Sequence, residues 1–212
     1  MSTTSLFVEL IVSGIGTVAW LILLFFSIFD YTWIPRQKLT GLLTLIPFLS
    51  LVYVLGIITD HLAHHLYKRI FHKFFCNLNK KFREQDFDQY KSYENIKSNN
   101  EYVEAVKVYV YTHAAENTMK RFEYDRSRLR IARAWGINFV FLAISTSIFA
   151  WTRLPQVAVS TKVAISTFSV FFCGLGAIFA FYTWRDLTKW EYDQLKRISN
   201  ILETKNSQKG DS

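Results

Sequence analysis

Four long runs of apolar residues restrict what this chain can fold into more than any other feature. They cover 6–29, 39–59, 134–151 and 163–184, and only the first contains a charged residue. A helix needs about 20 apolar residues to cross the roughly 30 Å hydrocarbon core of a bilayer. A soluble globular domain instead spreads its apolar residues at the period of a helix or a strand. The four runs therefore predict four transmembrane helices and exclude a soluble globular enzyme.

The distribution of basic residues predicts the orientation in the membrane. Of the 25 Lys and Arg residues, 21 lie in 60–133 or after residue 184, and the two short connections between spans hold the other four. Basic residues accumulate on the cytoplasmic side of membrane proteins. We therefore expect a multi-pass protein of the cell membrane with both termini and 60–133 in the cytoplasm.

The polar segments also have helical patterns, so the predicted fold is all-α: four transmembrane helices with helical cytoplasmic extensions. Segment 60–133 is predicted to be a basic helical hairpin, with its clearest loop signal at 97–100. Residues 101–151 contain no proline and one glycine, so the second helix of the hairpin is expected to continue into the third span. A C-terminal cytoplasmic helix is predicted over 185–203 and a disordered tail over 204–212.

The first span has a polar face. Glu9, Ser13, Thr17 and Trp20 follow one another at helical spacing, and Glu9 is the one residue within the four runs that is charged at neutral pH. In an oligomer this face would form a ring of carboxylates at a pore mouth, an arrangement that favours cations. These four residues are therefore candidate pore-lining residues. Alternatively, Glu9 lies close enough to the start of the span to reach the cytoplasmic headgroups.

A basic cluster precedes the third span. It comprises Lys120, Arg121, Arg126, Arg128, Arg130 and Arg133. With nearby tyrosines the cluster could bind an anionic nucleotide or a short single-stranded nucleic acid, and the candidate ligand-binding residues are Lys120, Arg121, Arg126, Arg130 and Arg133. The alternative is that the cluster sets the topology and contacts anionic membrane lipid. Both interpretations place the cluster at the cytoplasmic side of the membrane.

Signals for catalysis and metal binding are sparse. His61 and His65 are four residues apart and are the candidates for a metal site, but no carboxylate motif accompanies them. The chain has no GxSxG, P-loop, HExxH or CxxC motif. We therefore predict a non-enzyme without a cofactor and without a metal.

In its architecture the chain resembles the small four-span membrane effectors of bacterial anti-phage defence operons. The features that carry the resemblance are the first span with Glu9, the basic hairpin 60–133 and the helical tail. The resemblance implies that a signal acts on the cytoplasmic helices and that an oligomer then permeabilises the inner membrane.

Three functions are compatible with these patterns. The first is a homo-oligomeric ion channel, for example a tetramer, gated through the cytoplasmic helices, because four spans in one small chain rarely enclose a wide aqueous route. The second is a non-conducting membrane scaffold or sensor that recruits a cytosolic partner protein through the hairpin. A secondary transporter fits least, because inverted repeats with broken spans are not visible in the sequence.

Overall fold

The computed structural model describes residues 3–29, 42–86 and 98–210. These residues are 94% helical and contain no strand, which confirms the all-α prediction. The helices are α1 (Thr3–Ile28), α2 (Leu42–Ile70), α3 (His72–Asp86), α4 (Asn99–His113), α5 (Glu116–Arg153) and α6 (Val159–Gly210).

Four of the helices are long and apolar enough to cross a membrane, as the sequence predicts. The parts of these helices that are long and apolar enough are Leu6–Ile28, Ile46–Ile70, Glu116–Arg153 and Val159–Leu202. Large apolar side chains remain exposed on them: the Phe179 side chain, for example, is 70% exposed. The predicted start of the second span, 39–41, and the loop residue Lys97 lie outside the described residues.

The helix predicted to run from 101 into the third span is interrupted. The α4 helix ends at His113, Ala114 adopts an extended conformation, and α5 begins at Glu116. Near the break the Thr112 hydroxyl donates hydrogen bonds to the carbonyl oxygens of Val108 and Tyr109. Side chains that bond to local backbone groups compete with regular helix geometry, and the β-branched run 106–112 favours helix weakly. This part of the prediction is corrected: the third span is continuous only with residues from 116 onward.

The other helical extensions of the apolar segments follow the predicted pattern with different ends. The second span continues as helix to Ile70, and a turn at Phe71 separates it from α3. The fourth span and the predicted C-terminal helix form the single helix α6. This helix reaches Gly210, beyond residue 203, because residues 204–209 contain neither glycine nor proline to stop it.

The chain divides into two compact units. The first unit contains Met1–His65 and Ser127–Trp184, and the second contains Leu66–Arg126 and Arg185–Ser212. The second unit has its own hydrophobic core, formed by Phe82, Tyr102, Val103, Val106, Val110, Phe122, Tyr192 and Leu195. Burial of these side chains holds α3 and α4 against the C-terminal part of α6.

Within the first unit, α1 and α2 pack antiparallel at very short range. Gly14 on α1 lies against the backbone of Val52, and Gly56 on α2 lies against the backbone of Leu10. Without side chains at these two positions the helix backbones can approach more closely than larger residues allow.

The α5 helix runs parallel to α1 in the first unit. At one end Arg130 faces Glu9, and at the other the Arg153 side chain donates hydrogen bonds to the carbonyl oxygens of Phe26 and Ile28. The second contact satisfies carbonyl groups at the C-terminal end of α1, where the helix has no partners of its own for them. These contacts hold the polar face of α1 against α5.

A buried polar core as the candidate functional site

The polar face of α1 is buried inside the first unit. Glu9, Ser13 and Thr17 recur every four residues, so one face of the helix carries all three, and each is almost fully inaccessible. Trp20, one turn further along, is partly buried and its ring stacks on Phe141. These positions form a polar row in a helix that is otherwise strongly apolar.

Asn138 of α5 connects this row. Its side-chain nitrogen donates to the carbonyl oxygen of Ser13 at 2.9 Å, and its side-chain oxygen accepts from the Thr17 hydroxyl at 3.1 Å and the Trp20 indole at 3.2 Å. The residue is only 2% exposed. An amide without partners would be costly to bury at this position, so these hydrogen bonds are what make Asn138 compatible with the apolar surroundings.

A second helix joins the network through a hydroxyl pair. The hydroxyl oxygens of Thr17 and Thr59 are 2.6 Å apart, which links α1 to α2. Space for the Asn138 amide comes from Gly16, because a Cβ at that position would collide with the amide group. Three helices therefore meet at one hydrogen-bonded cluster.

Three charged side chains continue the polar core beyond Glu9. The Arg133 guanidinium binds Asp60 at 2.6 Å and contacts Nδ1 of His64 at 3.1 Å. Nη1 of Arg130 lies 3.5 Å from Oε1 of Glu9. Two carboxylates thus meet two guanidinium groups, and this charge balance reduces the cost of holding arginine among apolar helices.

Glu9 is the least satisfied member of this group. Its side chain is 2% exposed, and the donors beside its carboxyl oxygens are the Ser127 side chain and the Arg130 guanidinium, whose Nη1 is 3.5 Å away. The polar and charged groups around it are Ser127, Arg130, Asp60 and Arg133. A carboxylate held near cations but not saturated by donors retains the capacity to bind another cation or a proton.

The structure brings the four predicted pore-lining residues together, but inside one chain. The sequence predicts that they face a common axis in an oligomer, whereas in the structure the first three are covered by α2 and α5 and the Trp20 indole donates a hydrogen bond to Asn138. The physical reason is that α5 supplies matching polar groups. A route lined by this face would therefore run through a single chain.

Each of the five predicted ligand-binding residues has a partner of its own. Lys120 pairs with Glu116 on an exposed surface, and Arg121 lies over the Trp190 ring. Arg126 contacts Glu191 and the Tyr111 hydroxyl. Arg130 and Arg133 belong to the polar core described above. Binding of a nucleotide or a single-stranded nucleic acid at these residues stays a prediction, and it would compete with these partners.

The predicted metal candidates lie close together on α2. The Nε2 atoms of His61 and His65 are 3.1 Å apart, and both side chains are exposed. Among the described residues no group of three or more His, Cys, Asp or Glu side chains is placed to hold a metal ion. A histidine pair alone provides two of the four ligands that a structural zinc site needs.

Sequence reasoning missed Asn138, although a signal was present. It is the one asparagine or glutamine within the four apolar runs. A strongly polar side chain in a predicted span is costly unless a neighbouring helix supplies a partner, so it indicates an interior face.

Comparisons with protein-family models, with curated proteins and with solved structures found no match.

Proposed function

We propose that the protein is a multi-pass ion channel of the cell membrane, with the polar core of the first unit as its cation pathway. The observation that carries this proposal is the buried carboxylate of Glu9, which lies 3.5 Å from Arg130 and beside Ser127 on an otherwise strongly apolar helix. Ionisable residues within apolar membrane helices are costly to keep, and they commonly mark routes for ions or protons.

The geometry supports a closed state of such a channel. Arg130 occupies the position beside Glu9 that a permeating cation would take. Its guanidinium neutralises the charge of the carboxylate and repels other cations from it. Beyond it, Ser13, Thr17 and Asn138 offer oxygen atoms along roughly 12 Å of α1. Opening would require Arg130 to leave Glu9, and a movement of α5, which carries Arg130, would accomplish this.

Location, assembly and biological role are further parts of the proposal. The excess of basic residues in 60–133 and after 184 supports cytoplasmic termini. Assembly into a homo-oligomer, for example a tetramer, would use the large apolar side chains exposed on these helices as contacts between copies, each with its own route. Opening such a channel in the inner membrane would dissipate ion gradients, in keeping with the anti-phage effectors that the chain resembles.

The test is conduction by the purified chain in planar bilayers and in potassium-loaded vesicles. Replacing Arg130 by glutamine is expected to raise cation current about tenfold, because a charged contact of this kind is worth about 1.5–3 kcal/mol. Glu9→Gln is expected to lower the current or the cation preference, since it removes the negative charge that a cation would meet. The matched control is Lys120→Gln, which breaks an exposed ion pair elsewhere on α5.

The results of these measurements test the role of the Glu9–Arg130 pair and distinguish a channel from a non-conducting scaffold. Currents of Glu9→Gln and Arg130→Gln that equal those of the Lys120→Gln control would remove the Glu9–Arg130 pair from the mechanism. Vesicles that stay sealed with the wild type and with Arg130→Gln would contradict the channel. They would favour the non-conducting scaffold that recruits a cytosolic partner.

A further inference from the structure

A groove of about 420 Å³ lies between α5 and α6 in the first unit, away from the polar core. Its walls include Arg128, Trp135, Phe139, Gly176, Phe179 and Thr183. Gly176 lies directly under one wall of the groove: a Cβ there would come within 2.9 Å of the Phe139 ring. Small residues on membrane helices allow close packing, and here Gly176 lets the Phe139 ring approach α6 and form the apolar end of the groove.

The two ends of the groove differ in chemistry. Arg128 and Thr183 supply a guanidinium and a hydroxyl at one end, and Phe139 and Gly176 form the other, apolar end. The rings of Trp135 and Phe139 are 5.2 Å apart and line the wall between them. From Arg128 to Phe139 the groove extends about 16 Å along α5, which is close to half the thickness of a bilayer core.

We propose that this groove binds one phospholipid with an anionic headgroup. The phosphate would contact Arg128 and Thr183, and an acyl chain would lie along Trp135, Phe139 and Gly176. A guanidinium is well suited to phosphate because it donates several hydrogen bonds in one plane. The proposal rests on the membrane location inferred above and requires no conduction.

A second groove between the same helices provides the contrast. It has about 530 Å³ and includes Thr146, Ile165 and Phe168 in its lining, with no charged residue among the lining groups that the structure describes. An acyl chain could lie there as well, but nothing in that lining distinguishes a charged headgroup from a neutral one. Selection for anionic lipid is therefore expected from the groove with Arg128.

The experiment counts lipids on the full chain extracted from membranes in a mild detergent. The chain is mixed with equal amounts of phosphatidylglycerol and phosphatidylcholine of the same acyl composition, and native mass spectrometry measures which lipid is retained. The wild type is expected to retain phosphatidylglycerol preferentially. Arg128→Gln is expected to reduce that preference about fivefold, the factor for one basic residue near an anionic surface.

Two glycine variants test the groove itself. Gly176→Leu is expected to displace the Phe139 ring, which forms the apolar end of the groove, and to abolish the preferential retention. Gly174→Leu is the matched control, because a Cβ at Gly174 meets nothing within 4 Å, and it is expected to behave as the wild type. Arg128 is exposed, so its variant keeps the test valid if Gly176→Leu fails to fold.

Equal retention of phosphatidylglycerol by Gly176→Leu and Gly174→Leu would overturn the proposal. A wild type without preference between the two lipids would overturn it as well. A chain recovered without detergent in the soluble fraction would contradict the membrane location and the channel together. Absence of ion current with intact lipid selection would contradict the channel alone.

Discussion

Replacing Gly14 or Gly56 by alanine is expected to separate α1 from α2 and to destabilise the first unit severely. A Cβ at Gly14 would overlap the carbonyl oxygen of Val52, and one at Gly56 would overlap the carbonyl oxygen of Leu10. These are backbone atoms within helices, so neither can rotate away as a flexible side chain would. The helices must move apart, and overpacking of this kind typically costs about 1–3 kcal/mol or more.

The measurement is the midpoint temperature at which detergent-solubilised protein loses its monodisperse peak in size-exclusion chromatography. Both variants are expected to lose it well below the wild type. Gly174→Ala is the control: it makes the same change in another apolar helix, at a position with open space around it. Midpoints of Gly14→Ala and Gly56→Ala that match the Gly174→Ala midpoint would refute the close approach of the two helices.

Replacing Arg133 by alanine is expected to have the second large effect. The variant leaves the Asp60 carboxylate without its guanidinium partner and removes the contact to His64. Breaking a buried ion pair by removing one partner costs about 3–5 kcal/mol, and the partial exposure of Asp60 reduces the expected cost to about 2–3 kcal/mol. The loss should appear as a lower thermal midpoint and a smaller yield of folded protein from membranes.

The same helix provides the control for this prediction. Lys120→Ala breaks an ion pair with Glu116 whose side chains are 68% and 82% exposed, and such pairs contribute little. The double variant Asp60→Asn, Arg133→Gln removes both charges and is expected to recover part of the stability, because no carboxylate is then left without its cation. A double variant no more stable than Arg133→Ala would show that the charge balance is not the cause.

The sequence predicts the polar face of α1, but it does not predict which residues of other helices contact that face. That Glu9, Ser13 and Thr17 share a face follows from helix geometry, which relates residues four apart in any α-helix. Their partners are far away in the chain: Asn138 is 121 residues from Thr17, and Arg133 is 73 residues from Asp60. Helical periodicity contains no information about contacts at such separations, so the prediction turned this face toward an oligomer axis instead of toward α5.

The basic residues illustrate the same limit. In the sequence, Lys120, Arg121, Arg126, Arg130 and Arg133 form one cluster and suggest one anionic ligand. In the folded chain each meets a different partner: a carboxylate for Lys120, Arg126, Arg130 and Arg133, and an aromatic ring for Arg121. The density of basic residues can be counted from the sequence. The groups that each basic side chain contacts depend on which helices pack together.

The amino-acid sequence alone determines that the chain is helical and that four of its helices are long and apolar enough for a bilayer, because hydrophobicity and helix propensity accumulate over neighbouring residues. Only the tertiary structure decides which faces of those helices meet. The glycines at 14 and 56 let two backbones approach, Gly176 lets the Phe139 ring pack against α6, and Asn138 and Arg130 reach the polar face of α1. These outcomes depend on shape and charge complementarity between segments far apart in the chain, which no local pattern contains.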